Sequence, residues 1–397
     1  MRTAPQMKIR GVMSGALSSS HRLLFPAAAA IAIFVVAATS GMLSFSPSQG
    51  PLPGIVAWHA HEMLFGFVGA GFAAYTLTAM RSWSITGGPS GIWIAVLILL
   101  WVAARMTALG TFSDAGLIVV PLGVGFLALV ALILGRAALR SKSWNGGFQA
   151  IIALALTGYQ TAILMGETRP LAPVLVLAIL LTVVCGRVVA GFSWSRLEQR
   201  EEQQKRYRLG TYAGNLGAFL IFAVILLDAS GQPAADFVAN ALLMAAAGLT
   251  LAQLLCWQSR RIWQDGLLVM LHLAYLWLPV GLALLALARS EVIAIPPTTA
   301  LHALTVGAIS GSIYAVAARA VARRNAHLVP LRADLLGYAL LWAAAVLRVF
   351  SEAGGDLFAI APMLWIAGWT VFLVRHAIAL TYAPPRPVFS GRSRVET

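Results

Sequence analysis

Apolar stretches long enough to cross about 30 Å of hydrocarbon as a helix recur twelve times along the chain. They lie near 23–44, 56–80, 91–110, 115–136, 148–166, 170–193, 211–228, 235–257, 267–288, 297–319, 333–351 and 356–379. Each predicts a helix, because hydrocarbon offers backbone N–H and C=O groups no other partner. The polar positions between them sort by sign. Arg81, the group Arg136, Arg140 and Lys142, the basic residues of 196–208, Arg260 with Arg261, the 319–332 group and the tail with Arg386, Arg392 and Arg394 alternate onto the side of the basic N-terminus. The opposite connectors hold Arg169 and Arg289 against Asp114, Glu167, Asp228, Asp236, Glu291, Glu352 and Asp356. Basic residues gather on cytoplasmic loops, so both termini are expected in the cytoplasm.

Composition agrees with an all-α, polytopic membrane bundle. Of 397 residues 59% are hydrophobic and 11% charged, with a mean hydropathy of +0.82, too little polar surface for a water-soluble globule. The formal net charge of +14 comes from short clusters between apolar runs rather than from a continuous stripe, so nucleic acid is excluded as a partner and lipid is expected. Only Lys8 and Lys142 are lysines among 28 basic residues; the forked guanidinium suits headgroups and propionates. The two cysteines, Cys185 and Cys256, imply no disulfide framework. The first apolar run reads as a retained span rather than a cleaved leader. The chain therefore reads as one integral-membrane domain, 1–397, with a short N-terminal segment 1–21 and a tail 380–397. The mixed-sign stretch SRLEQREEQQKRYR after the sixth span reads as helix ends extending into water.

Ionisable residues inside apolar spans cost a few kcal/mol each on insertion scales and mark function. His59, His61 and Glu62 lie at the start of the second span and His302 at the start of the tenth, at one depth. Arg105 and Arg348 lie in the outer halves of the third and eleventh spans. Two histidines on different helices with two arginines nearby match a b-type haem with anionic propionates, giving His61 and His302 as ligands and Arg105 and Arg348 as propionate partners. Residues two apart on a helix point about 200° apart, so His59 and His61 serve different partners. His59 shares a face with Glu62 and Met63; either this face holds copper or His59 and Glu62 bond each other. HEMLFGF from His61 and HALTVGA from His302 each place a glycine five residues after the histidine, Gly66 and Gly307, as two helices meeting one planar object would; Gly66 and Gly69 leave room for a flat ring. His272 lies about two turns from the other membrane face with Tyr275 three residues on, and is either a second site or a core hydrogen bond. Arg187 is expected to snorkel at a span end. His21, His327 and His376 are expected to be solvated.

These residues fall in blocks that resemble the NnrS family of bacterial haem- and copper-containing membrane proteins linked to the nitric oxide response. The blocks are WHAHEMLFGF (58–67), GRVV (186–189), LHLAYLWLPVGL (271–282), HALTVGAISG (302–311) and the LRV of 347–349, in order across the twelve spans. The resemblance implies His59, His61, His272 and His302 as the metal set, haem b and copper as cofactors, and a bacterial inner membrane. The sequence departs from the family pattern at Val189, Ala190, Gly191, Phe192 and Ser193, where similar proteins carry a proline and an aromatic followed by threonine. It departs again after the tenth span, where Ala318, Arg319 and ARRNAH replace a Met-Arg and Gly-His-Thr-Gly run. The expected function is protection from nitrosative stress by a haem protein that meets nitric oxide or another small diatomic, with an electron donor as partner. Two histidines on one haem leave no open position, so redox chemistry on a bound ligand requires one to leave. The alternative is a secondary transporter that uses the His, Glu and Arg groups as an ion and substrate relay.

Overall fold

The computed structural model describes residues 15–389 except 46, 48–49, 53, 112–116, 168–170, 195–200, 233–234, 291–293, 326, 330, 352–354 and 381–387. Each predicted apolar stretch is a helix. In chain order these are α1 (His21–Thr39), α2 (Gly54–Ser82), α3 (Ile92–Ala108), α4 (Val119–Ser141), α5 (Trp144–Leu164) and α6 (Leu171–Trp194), followed by α7 (Glu201–Ser230), α8 (Ala235–Cys256), α9 (Gly266–Ser290), α10 (Pro297–Val321), α11 (Arg332–Phe350) and α12 (Asp356–Ala379). Eleven are long and apolar enough to span a membrane, and α3 is a shorter apolar helix. At 1.5 Å rise per residue, its 17 residues still cover most of the hydrocarbon. α7 starts inside the mixed-sign stretch, as expected for a helix that continues into water. Among the described residues the non-helical addition is a short antiparallel hairpin, Arg323–Asn325 with His327–Val329, in the basic connector after α10.

Local chemistry sets several boundaries. Lys142 ends α4 in the left-handed region at φ 48°, and Ser143 accepts the Gly146 N–H at 3.2 Å to cap α5. Asp265 accepts the Leu267 and Leu268 N–H groups at the head of α9, at 3.2 Å each. Both devices satisfy donors that a helix start leaves without intrahelical partners.

The chain packs as two compact units. The first comprises α1 to α5 and α12 from Trp369 onward, and the second comprises α6 to α11 and α12 up to Gly368. In the first, Trp58 is fully buried against Phe34 and Phe45, and Leu52, Ala108 and Leu164 extend that core. In the second, glycines bring helices close. A Cβ on Gly368 would stand 2.8 Å from the Gly337 carbonyl oxygen, the close approach that small residues permit in hydrocarbon.

Candidate functional site

The head of α2 carries the densest buried charge of the first unit. It runs as an α-helix to His61, widens into a π-helix over Glu62–Val68, and returns to α from Gly69. A π segment bonds i to i+5 and is frequent at functional sites. Glu62 does not stack under His59 as the sequence spacing predicted. Its carboxylate turns to the adjacent imidazole instead, with Oε1 3.0 Å from His61 Nδ1, while Oε2 lies 2.9 Å from Arg105 Nε. His61 and Glu62 are each 1% exposed and Arg105 7%. A buried ion pair of this kind holds only when both partners are present.

Trp101 and Arg105 are one turn apart on α3 and present a single face to the π-helix. The indole Nε1 donates to the Gly66 carbonyl at 3.0 Å, and the guanidinium carbon lies 5.6 Å from the Trp101 ring centroid. A Cβ on Gly66 would stand 2.6 Å from Arg105 Nη1. The guanidinium therefore fills the space over Gly66 where a flat ring was expected, and a Cβ on Gly69 would stand 3.6 Å from Leu127 Cδ2. Arg105 Nη1 is buried without a hydrogen-bond partner.

Gln160, on α5, completes the site and was not singled out from the sequence. Its amide nitrogen lies 3.0 Å from the Gly123 carbonyl oxygen and 3.3 Å from His61 Nε2. A carbonyl only accepts, so the amide must point its NH2 there. The same NH2 then makes Nε2 of His61 an acceptor, which puts the imidazole proton on Nδ1, donating to Glu62. The ring is thus fixed as a base at Nε2, oriented by a carboxylate at Nδ1, the arrangement of a metal-ligating histidine. The signal for Gln160 was available: a primary amide in an apolar span needs a partner there as the histidines do.

His59 is half-buried, and its Nδ1 lies 3.2 Å from Thr39 Oγ1. Glu62, expected beside His59 as an orienter or proton carrier for a copper there, turns to His61 and Arg105 instead. Among the described residues, no three His, Cys, Asp or Glu side chains gather as a metal-holding group.

The second unit repeats the local design in α10. The helix is α to His302, π over Ala303–Ser310 and α again from Gly311. His302 Nδ1 lies 2.6 Å from the Thr298 carbonyl oxygen; the carbonyl requires a proton on Nδ1 and leaves Nε2 as the base. Gly307, like Gly66, is covered by a planar side chain, here the Trp277 indole. At each π-helix the echoed glycine lies under a planar side chain of its own unit, a guanidinium in one and an indole in the other. Arg348, expected beside a propionate, lies over the Phe358 ring at 4.2 Å.

His272 has both ring nitrogens occupied, Nε2 by Ser193 Oγ at 2.9 Å and Nδ1 by Ser259 Oγ at 2.7 Å. Tyr275 donates to Gln253 Oε1 rather than to His272, and the Trp257 ring packs against both. Of the two readings left open by the sequence, this is the core hydrogen-bond arrangement. The two stretches that depart from the family pattern meet in this unit, where the Arg319 guanidinium lies 3.8 Å over the Phe192 ring beside Ser193. Arg187 is half-buried, and its carbonyl accepts the Tyr207 hydroxyl at 3.5 Å.

Two histidines expected in solvent are buried. His21 Nδ1 lies 2.9 Å from Ser19 Oγ, and His376 Nε2 donates to the Arg22 carbonyl at 3.0 Å; both are 2% exposed. With Arg22 Nη2 donating to the Leu380 carbonyl at 3.0 Å, they tie the head of α1 to the tail of α12 within the first unit. Charge beside a histidine in sequence says nothing about which neighbouring helix end covers it. The side chain of His327 lies outside the described residues.

Over residues 16–383 the sequence matches the family described as NnrS protein. The chain belongs to the NnrS family. No curated protein is matched. Four of the five NnrS-like blocks read from the sequence contribute a side chain or a glycine contact described above: His61, Glu62 and Gly66 from the first, His272 and Trp277 from the third, His302 and Gly307 from the fourth, and Arg348 from the fifth.

Proposed function

We propose that this NnrS protein is a haem-binding inner-membrane protein of the nitric oxide response, in which His61 would hold the iron of a b-type haem. The observation that supports the reading is the fixed state of the His61 ring, proton on Nδ1 toward Glu62 and lone pair on Nε2, in a span where such groups are costly. Glu62 orients the imidazole. Arg105 balances the Glu62 charge, and its unpartnered Nη1 suits an anionic acceptor such as a carboxylate. Because Arg105 fills the space over Gly66, the ring would approach His61 from the Nε2 side, where Gln160 stands. His302, whose Nδ1 faces the Thr298 carbonyl, is the candidate ligand of the second unit. A haem held there supplies an iron that binds a small diatomic and exchanges electrons with a donor.

Purified protein is expected to show a Soret band and bound iron, with His61→Ala losing both. A wild-type sample without a Soret band and without iron would sink the proposal. Metal analysis of the same sample reads copper directly.

A second reading is favoured by the carboxylate buried between an imidazole and a guanidinium, a grouping that suits an ion relay in a secondary transporter. Under it His61→Ala keeps a cofactor-free fold and loses ion-coupled flux in proteoliposomes.

A further inference from the structure

The Nε2 lone pair of His61 faces the amide of Gln160, 3.3 Å away. The amide is not placed there loosely. Gly123 accepts from it at 3.0 Å, and Leu164, one turn further along α5, packs onto Gly123 so closely that a Cβ there would stand 2.5 Å from Leu164 Cδ1. A donor anchored to a neighbouring helix is thus aimed at the nitrogen that a metal needs. We propose that Gln160 is a positioning residue that receives the His61 imidazole whenever it is off a metal, and so sets how readily a haem at His61 exchanges that ligand. The inference rests on the proposed haem function and adds to it a residue that the family match does not name.

The consequence follows from competition. Gln160 stabilises the unligated imidazole, so it weakens the hold of His61 on a metal and favours entry of an external ligand at the vacated position. Removing the donor while keeping the shape, as in Gln160→Met or Gln160→Leu, is expected to tighten haem and slow ligand entry, each by about two- to tenfold, the net worth of one hydrogen bond. A merely structural role for Gln160 predicts the opposite signs, because a loosened pocket holds haem less firmly and admits ligands faster.

The test uses the full chain purified from haem-starved cells and titrated with hemin, followed by carbon monoxide association to the reduced protein. Tighter hemin binding together with slower carbon monoxide association in Q160M and Q160L supports the role. Unchanged or weaker hemin binding, or unchanged or faster association, overturns it. A second measurement needs no variant: nitrogen NMR of the haem-free chain labelled at histidine should show His61 protonated at Nδ1, and a proton on Nε2 overturns the inference. A wild type that takes up no hemin overturns the haem reading and this one together, whereas a wild type that binds hemin indistinguishably from both variants overturns the role of Gln160 alone.

Discussion

The Arg105 guanidinium occupies the space left by the missing side chain of Gly66, 2.6 Å from where a Cβ would stand, and from there reaches Glu62 Oε2 at 2.9 Å. Gly66 is therefore a condition for the ion pair. Gly66→Ala is expected to push the guanidinium off Glu62 and to cost about 1–3 kcal/mol, the usual range for overpacking a filled site. Thermal unfolding in detergent checks this; a variant as stable as the wild type contradicts the packing.

Glu62 and Arg105 each leave an uncompensated buried charge when the other is removed. Glu62→Gln and Arg105→Met are each expected to destabilise the chain by about 3–5 kcal/mol, and the double variant by much less than the sum. Unfolding midpoints of the four proteins form the cycle, and strict additivity would show that the two side chains do not interact.

His272, with both imidazole nitrogens bonded to hydroxyls, is expected to be dispensable for haem. His272→Ala should keep the Soret band that His61→Ala loses. Ser193→Ala and Ser259→Ala should each cost about 1 kcal/mol of stability, the net worth of a hydrogen bond. Loss of haem in the His272 variant would contradict this assignment.

In the second unit the approach of α11 to the part of α12 up to Gly368 depends on two glycines. A Cβ on Gly337 would stand 3.1 Å from the Gly368 carbonyl oxygen and on top of the Tyr314 hydroxyl. Gly337→Ala is expected to lower stability by about 1–3 kcal/mol, read as a drop in the unfolding midpoint.

The distribution of arginine between connectors predicts both termini in the cytoplasm. A fluorescent-protein fusion at the C-terminus should fluoresce and an alkaline phosphatase fusion there should be inactive; the reverse pattern refutes the assignment.

The sequence by itself determined the twelve helices and their order, because span length and hydropathy are local quantities set against a fixed hydrocarbon thickness. It also picked out His61, Glu62, Arg105 and His302, since an ionisable group in an apolar run stands out one residue at a time. What it could not supply was pairing. Glu62 meets His61 and Arg105 rather than His59 because α3 brings the Arg105 guanidinium to it, and nothing in EMLFGFV shows which neighbouring helix packs there. Gln160 meets His61, and His376 meets Arg22, through helix rotations and contacts between segments about a hundred or more residues apart. Those choices belong to tertiary packing, where the fit of side chains across helix surfaces, rather than the periodicity along any one of them, decides which polar groups find each other.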